Sequence, residues 1–232
     1  MREIVLDTET TGFEPESGDR IVEIGCVELI NHVATGKVYH QYVNPERSMP
    51  QGAFEVHGLG DDFLKDFPVF GQVGQAFLDF IGDAKLVIHN AAFDMKFLNA
   101  ELHWMGLPRL PMDRAVDTLA IAKSKFPGSP ASLDALCRRF GIDNSVRTKH
   151  GALLDSEILA EVYLELIGGR QPTMSLAISE ANDNADSDDA WKPRPRPSPL
   201  PPRLSAAEVA AHEAFVETLG DAPLWRRGVR TA

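Results

Sequence analysis

The sequence predicts an α/β domain, a mixed five-stranded sheet with flanking helices, followed by a flexible tail that carries a C-terminal helix. Three observations predict it. Three strand-like segments follow one another within residues 3–45, close enough in sequence to form a meander. Helical and strand periodicities then alternate over 68–169, which argues for a sheet covered by helices. At about residue 170 the composition turns acidic and proline-rich, with too little apolar surface to pack.

The elements follow in order. EIVL, just before Asp7, is a short apolar run that fits a buried strand. RIVEIGCVELI (20–30) alternates, and GKVYHQYVNP (36–45) is a third strand closed by Asn-Pro. PVFGQVGQAFLDFIG (68–82) changes to helical spacing, with Pro68 suited to the first turn. KLVIHN (85–90) is a fourth strand and RAVDT (114–118) a short fifth. Between them AAFDMKFLNAELHWMG (91–106) is a helix ended by Gly106, with Pro108 beyond. SLDALCRRFGI (132–142) is a helix with Ser132 as N-cap and Gly141 after it. ALLDSEILAEVYLELIGG (152–169) is an amphipathic helix stopped by Gly168-Gly169. In the tail, WKPRPRPSPLPPR (191–203) holds six of the 16 prolines and predicts extended polyproline II. LSAAEVAAHEAFVETLG (204–220) is a helix whose Ser205 and Glu208 form a capping box.

Length and composition bound the function. The 232 residues accommodate one full domain and a tail at roughly 100–200 residues per domain. No apolar run reaches the ~18–20 residues of a membrane span, and the charged start MREIVLDTET is not an export signal, so a cytoplasmic protein is expected. Cys26 and Cys137 lie far apart, which predicts two reduced core thiols rather than a disulfide or zinc site. The net charge of −11 is opposite to that of proteins holding nucleic acid by their own electrostatics. A nucleic-acid enzyme of this composition needs a partner to deliver it.

The chemistry lies in three acidic motifs: DTETTG (7–12), HNAAFD (89–94) and HGALLD (150–155). Asp7 and Glu9, two apart, aim at one point if the backbone stays extended. Asp94 starts a helix whose preceding strand ends at the same sheet edge, and Asp155 is one turn into the last domain helix. With no nearby Lys or Arg expected to neutralise them, four such carboxylates repel one another strongly, and hard divalent cations are the usual remedy. His150, five residues before Asp155, can reach the same cleft as a general base.

This set resembles the DEDD exonucleases with histidine in the third motif. Over residues 3 to about 170 the chain is more closely similar to the proofreading epsilon subunits of bacterial DNA polymerase III. VLDTETTG, VIHNAAFD, FPG (126–128), SLDALC (132–137) and HGALLDSEILAEVYL (150–164) carry that resemblance. It implies a ribonuclease-H-like fold and 3′→5′ hydrolysis of DNA ends. Asp7, Glu9, Asp94 and Asp155 would hold two Mg²⁺ or Mn²⁺ ions, with His150 as general base. Asp7, Glu9, Thr10, His57 and Asp155 would contact the substrate, Thr10 through its backbone and His57 from the VHGL loop (56–59).

The resemblance also divides the chain: an exonuclease domain, 1–170; a sliding-clamp peptide, 171–177, with Gln171, Met174 and Leu176 as contacts; an acidic, proline-rich linker, 178–203; and a segment, 204–232, docking on the polymerase alpha subunit. Two alternatives stand beside this reading. One is a free-standing RNA-end exonuclease of the ribonuclease T or oligoribonuclease type, against which the tail argues. The other is a non-catalytic scaffold, against which the complete carboxylate set argues. Three features are read as structural: His89 as a hydrogen-bonding strand end, Gly71 and Gly74 as helix residues rather than a phosphate loop, and Phe93 and Phe97 as core.

Overall fold

A computed structural model of the chain describes residues 1–145, 147, 149–169 and 204–219. It divides into two units, Met1–Leu176 and Ala177–Ala232. In the first, strands β1 (Arg2–Thr10), β2 (Ile21–Ile30), β3 (Val33–Tyr42), β4 (Lys85–Ile88) and β5 (Ala115–Asp117) form one sheet in the order β3-β2-β1-β4-β5. The expected meander is present: β1–β2 and β2–β3 are antiparallel, whereas β4 runs parallel to both β1 and β5.

Alternation along β1 sorts its side chains between two layers. Ile4 and Leu6 join the core formed with α3 (Phe70–Ile81) and α4 (Ala91–Trp104), where Phe70, Phe77 and Phe97 are fully buried. Val5 faces the other way, against Leu159 and Tyr163 of α7 (Ala152–Leu166). Asp7 and Glu9 share the parity of Val5 and therefore the α7 side of the strand. A third cluster packs α7 against α6 (Leu133–Phe140) through Val162, Leu166, Leu136 and Cys137. Helix α7 is therefore buried against both sheet and helix, not amphipathic in the simple sense expected. Both cysteines are free and buried.

Several boundaries differ from expectation. β1 does not stop before Asp7 but continues through Thr10, because β2 pairs with it as far as Ile21. β3 begins at Val33, and the N-terminus of α3 falls at Phe70, leaving Pro68 just outside the helix. Helices α1 (Gln51–His57), α2 (Asp61–Leu64) and α5 (Thr118–Lys125) were not anticipated. For α5 a signal was there: the Asp117 carboxylate caps it, accepting from the backbone N–H groups of Leu119 and Ala120.

Of the second unit, helix α8 (Ala206–Glu217) is described, and its predicted capping box is formed. The Ser205 hydroxyl accepts from the Glu208 backbone N–H at 3.3 Å, and the Glu208 carboxylate accepts from the Ser205 N–H at 2.8 Å. The clamp peptide residues Gln171, Met174 and Leu176, the linker 178–203 and the end of the docking segment lie outside the described residues. Among the described residues, no helix is long and apolar enough to cross a membrane.

Candidate active site

The site is built where β1 outruns β4. The parallel pairing stops at Val5↔Val87, and the chain leaves β4 through Asn90, held at a φ of 67°. The β4-facing edge of β1 is thereby freed beside Asp7–Thr10. Asp94, on the first turn of α4, fills that edge. The Thr8 backbone N–H and hydroxyl both donate to Asp94 Oδ1, at 3.0 and 2.7 Å. Thr8 was not singled out from sequence, since a Thr between two acids has no distinctive spacing.

Asp155 arrives from the opposite layer, and Gly25 makes its approach possible. Gly25 pairs with Asp7 across the sheet. A Cβ at Gly25 would lie 2.2 Å from the backbone of Ala152 and Leu153, so only glycine lets the first turn of α7 lie this close. The Ser156 hydroxyl then donates to the Gly25 carbonyl at 2.9 Å, pinning the helix start to β2.

Four carboxylates thus converge from β1, α4 and α7. Asp94 and Asp155 are each only 3% exposed. Lost solvation, then the charges of Asp94, Glu9 and Asp155, push Asp7 well above the ordinary carboxylate value. Burial, followed by Asp155, pushes Glu9 up to about 8. Burial raises Asp94 to about 7, against the opposing hydrogen bonds from Thr8. Glu9 Oε1 is buried and has no hydrogen-bond partner among the described residues. Glu9, His150 and Asp155 offer ligand atoms that all lie within 4.8 Å of one another. An oxygen-rich, mutually repelling donor set with an unpartnered buried oxygen fits hard divalent cations.

His150 lies beside Asp155, its Nδ1 3.5 Å from Oδ2, and its ring remains 49% exposed. Partial burial, then the charge of Arg147, holds its pKa below the usual imidazole value, which favours the neutral, proton-accepting form. Its backbone N–H donates to the Val56 carbonyl at 3.2 Å, joining the third motif to α1. His57 closes α1 on the same side as Thr10. The Leu59 N–H donates to its Nδ1 at 3.0 Å, and burial lowers its pKa while a backbone contact with Thr10 works the other way. The Thr10 hydroxyl is committed to the Gly12 carbonyl at 2.7 Å. VHGL is therefore a helix end rather than a free loop: Gly58 follows α1 at a φ of 77°.

One expectation is corrected. A cation pairs with one member of the cluster, Asp155, while Asp7, Glu9 and Asp94 stay raised. Arg147, eight residues before Asp155, donates through Nε to Asp155 Oδ1 and through Nη2 to Oδ2 at 2.8 Å. No helical or strand period links Arg147 to Asp155, so sequence alone does not pair them; a loop brings them together. His89 Nδ1 is 2.9 Å from the Thr118 hydroxyl, and Phe97 is fully buried beside Phe93.

Comparison with known proteins places this arrangement. The sequence profile of the exonuclease family matches residues 4–163. The chain is 46% identical over 222 residues to DNA polymerase III subunit epsilon of Rickettsia felis, covering 94% of this chain and 97% of that one. The chain belongs to the epsilon family of exonucleases. Its relative in Escherichia coli strain K12, also a DNA polymerase III subunit epsilon, is 44% identical over 238 residues, with 97% of each chain covered. Solved structures share the fold at lower identity. The nuclease domain of 3′hExo, a DEDDh family member, bound to rAMP, has a TM-score of 0.61 at 23% identity, covering 72% of this chain and 91% of that one. Exonuclease X in complex with 5′ overhanging duplex DNA has a TM-score of 0.55 at 24% identity, covering 71% and 90%. These likenesses establish the ribonuclease-H-like fold.

Proposed function

We propose that this chain is the proofreading 3′→5′ exonuclease subunit of a bacterial replicative DNA polymerase III, hydrolysing the 3′-terminal phosphodiester of DNA to release 5′-nucleoside monophosphates. The observation that carries the reading is the convergence of Asp7, Glu9, Asp94, Asp155 and His150 at the end of β1. Neither a free-standing RNA-end nuclease nor an idle scaffold is favoured for a chain of this family with that set intact.

In this reading Asp7, Glu9, Asp94 and Asp155 hold two divalent cations, Mg²⁺ or Mn²⁺. When bound, the cations supply charge stabilisation to the phosphodiester and lower the pKa of an attacking water. His150, neutral by virtue of its lowered pKa, takes the proton from that water. Thr8 aims Asp94 by two hydrogen bonds. His57 and the Thr10 backbone border the place of the terminal nucleotide, with Asp7, Glu9 and Asp155 beneath it.

The partner assignments rest on the tail. Residues 204–232 dock on the alpha subunit, and Gln171, Met174 and Leu176 enter the sliding clamp, in the cytoplasm. Tethering replaces the electrostatic affinity that a net charge of −11 denies, because effective concentrations over short linkers reach the millimolar range. The test compares the intact chain with residues 1–180. Both should degrade single-stranded and mismatched 3′ ends in Mg²⁺ or Mn²⁺, and only the intact chain should carry alpha through a pull-down. Absence of hydrolysis by the intact chain with either metal would overturn the assignment.

A further inference from the structure

We propose that Arg147 is an exchangeable cation of the site: its guanidinium and a divalent metal ion are mutually exclusive ligands of Asp155, so that metal entry requires Arg147 to withdraw. The inference rests on the reading of Asp155 as a metal ligand.

The contacts of Arg147 argue for exclusion. Its Nε and Nη2 take both oxygens of Asp155, a fork that leaves neither oxygen free of a short contact. The same Nη2 is 2.9 Å from His150 Nδ1. Since the donor atoms of Glu9, His150 and Asp155 lie within 4.8 Å of one another, a guanidinium touching two of the three stands where they converge. The Arg147 side chain is only 8% exposed, and the Asp155 side chain 4%. A buried charge so placed needs its partner, and so does the carboxylate.

The electrostatic role agrees. The charge of Arg147 lowers the pKa values of Asp7 and Glu9 against the stronger effects that raise them. Two dications would supply the positive charge that one guanidinium now supplies in part. A retreat is also built in. Arg147 Nη1 donates at 3.0 Å to Asp134 on α6, whose side chain is 45% exposed. Asp134 accepts from the Asn144 side chain as well, at 2.9 Å, so it anchors the loop that carries Arg147. The guanidinium can leave Asp155 and still keep one carboxylate.

Mutual exclusion has a reciprocal consequence: removing Arg147 must tighten cation binding, and cation binding must release Arg147. The test uses the full chain and calorimetric titration with Mg²⁺. It is run at about pH 9, above the value of about 8 to which Glu9 is pushed, so that proton competition is reduced. Arg147→Gln should bind Mg²⁺ about tenfold more tightly than the parent, within the usual range of coupled sites. Without cation its thermal midpoint should fall, and with saturating Mg²⁺ the deficit should shrink. In the parent, the Nε–H resonance of Arg147, assigned by its loss in the variant, should move toward the position of solvent-exposed arginines as Mg²⁺ is added. If Arg147→Gln does not fold, Arg147→Lys decides: it keeps a charge but loses the two-pronged grip on both Asp155 oxygens, so it should bind Mg²⁺ more tightly than the parent, and it too lacks the Arg147 Nε–H resonance and so assigns it. Mg²⁺ affinity that is equal or weaker in folded Arg147→Gln, or an Nε–H resonance indifferent to Mg²⁺, would overturn the proposal. A parent chain that binds no Mg²⁺ would instead overturn the metal assignment itself.

Discussion

Strand β1 buries acids at both of its ends, and the two ends treat them differently. At the start, Glu3 accepts from the Tyr163 hydroxyl at 2.7 Å and lies 2.7 Å from His32 Nδ1. On β2, Glu28, which pairs with Ile4, is met by Arg2 at 2.6 Å and by the Thr35 hydroxyl at 2.8 Å, and the Arg2 bond holds its pKa below the ordinary value. At the other end, of the four carboxylates only Asp155 is met by a guanidinium among the described residues, and Asp7, Glu9 and Asp94 are pushed up by burial and by neighbouring carboxylates. A fold meets the acids it buries for its own sake with local donors and cations. Acids left mutually repelling mark a place where a ligand is to complete the balance.

The sharpest way to break this comparison is one neutralising substitution at each end. Asp7→Asn should reduce hydrolysis to the limit of detection, yet raise the thermal midpoint in chelator, because a repelling charge is removed. Glu3→Gln should leave hydrolysis intact and destabilise the fold by about 1–3 kcal/mol, the usual loss from a disrupted buried hydrogen-bonding group. Thermal melts in chelator together with rates in Mg²⁺ check both, and a fall in midpoint for Asp7→Asn would contradict the asymmetry.

His150→Ala should slow hydrolysis by about 10²–10⁴-fold, the contribution of a positioned base. The parent rate should rise with pH as the His150 imidazole loses its proton, with an inflection below about 6.5, the ordinary imidazole value, because burial lowers its pKa. A rate–pH profile that keeps this inflection in the alanine variant would assign the base elsewhere.

Thr8→Val removes one of two donors to Asp94 and should weaken divalent-cation binding by about 10–100-fold, as outer partners of metal ligands commonly do. Titration of the folded variant measures it, and unchanged affinity would show that the backbone N–H of Thr8 suffices.

The smallest effect concerns pH. Glu9 is raised from 4.5 to about 8 and Asp94 from 3.8 to about 7, so the folded chain binds protons more tightly than the unfolded one between those values. Stability without cations should therefore be fullest below about pH 4 for these groups and decline as pH rises toward about 8. Melts in chelator at about pH 5 and pH 8 should differ, the higher pH being less stable, and Mg²⁺ should narrow the gap.

The sequence by itself determined most of the local structure. The strand-like run at 20–30 and helical spacing at 68–82 and 91–106 correspond to β2, α3 and α4; burying one face imposes the helical periodicity, whereas β2 is buried on both faces. Ser132, Ser205 and Glu208 marked helix starts through side-chain oxygens that accept from free backbone N–H groups, a strictly local requirement. The acidic motifs named the site for the same reason: strand ends and first helical turns can be read within a few residues.

Features set by contact between distant segments were decided only by the tertiary structure. Helix α5 was invisible to periodicity because, of its eight residues, only Thr118 and Ala122 are buried. Gly25 reads as one more residue of an alternating strand until the backbone of Ala152 is laid 2.2 Å from where its Cβ would be. Thr8 became the donor that aims Asp94 only when β4 ended early and left that edge of β1 to a helix. Arg147 lies in a loop, where no period constrains the chain, and its pairing with Asp155 depends on α6 holding Asp134 alongside. Local periodicity records which residues must be buried, whereas the partner each buried charge meets depends on segments that only folding brings together.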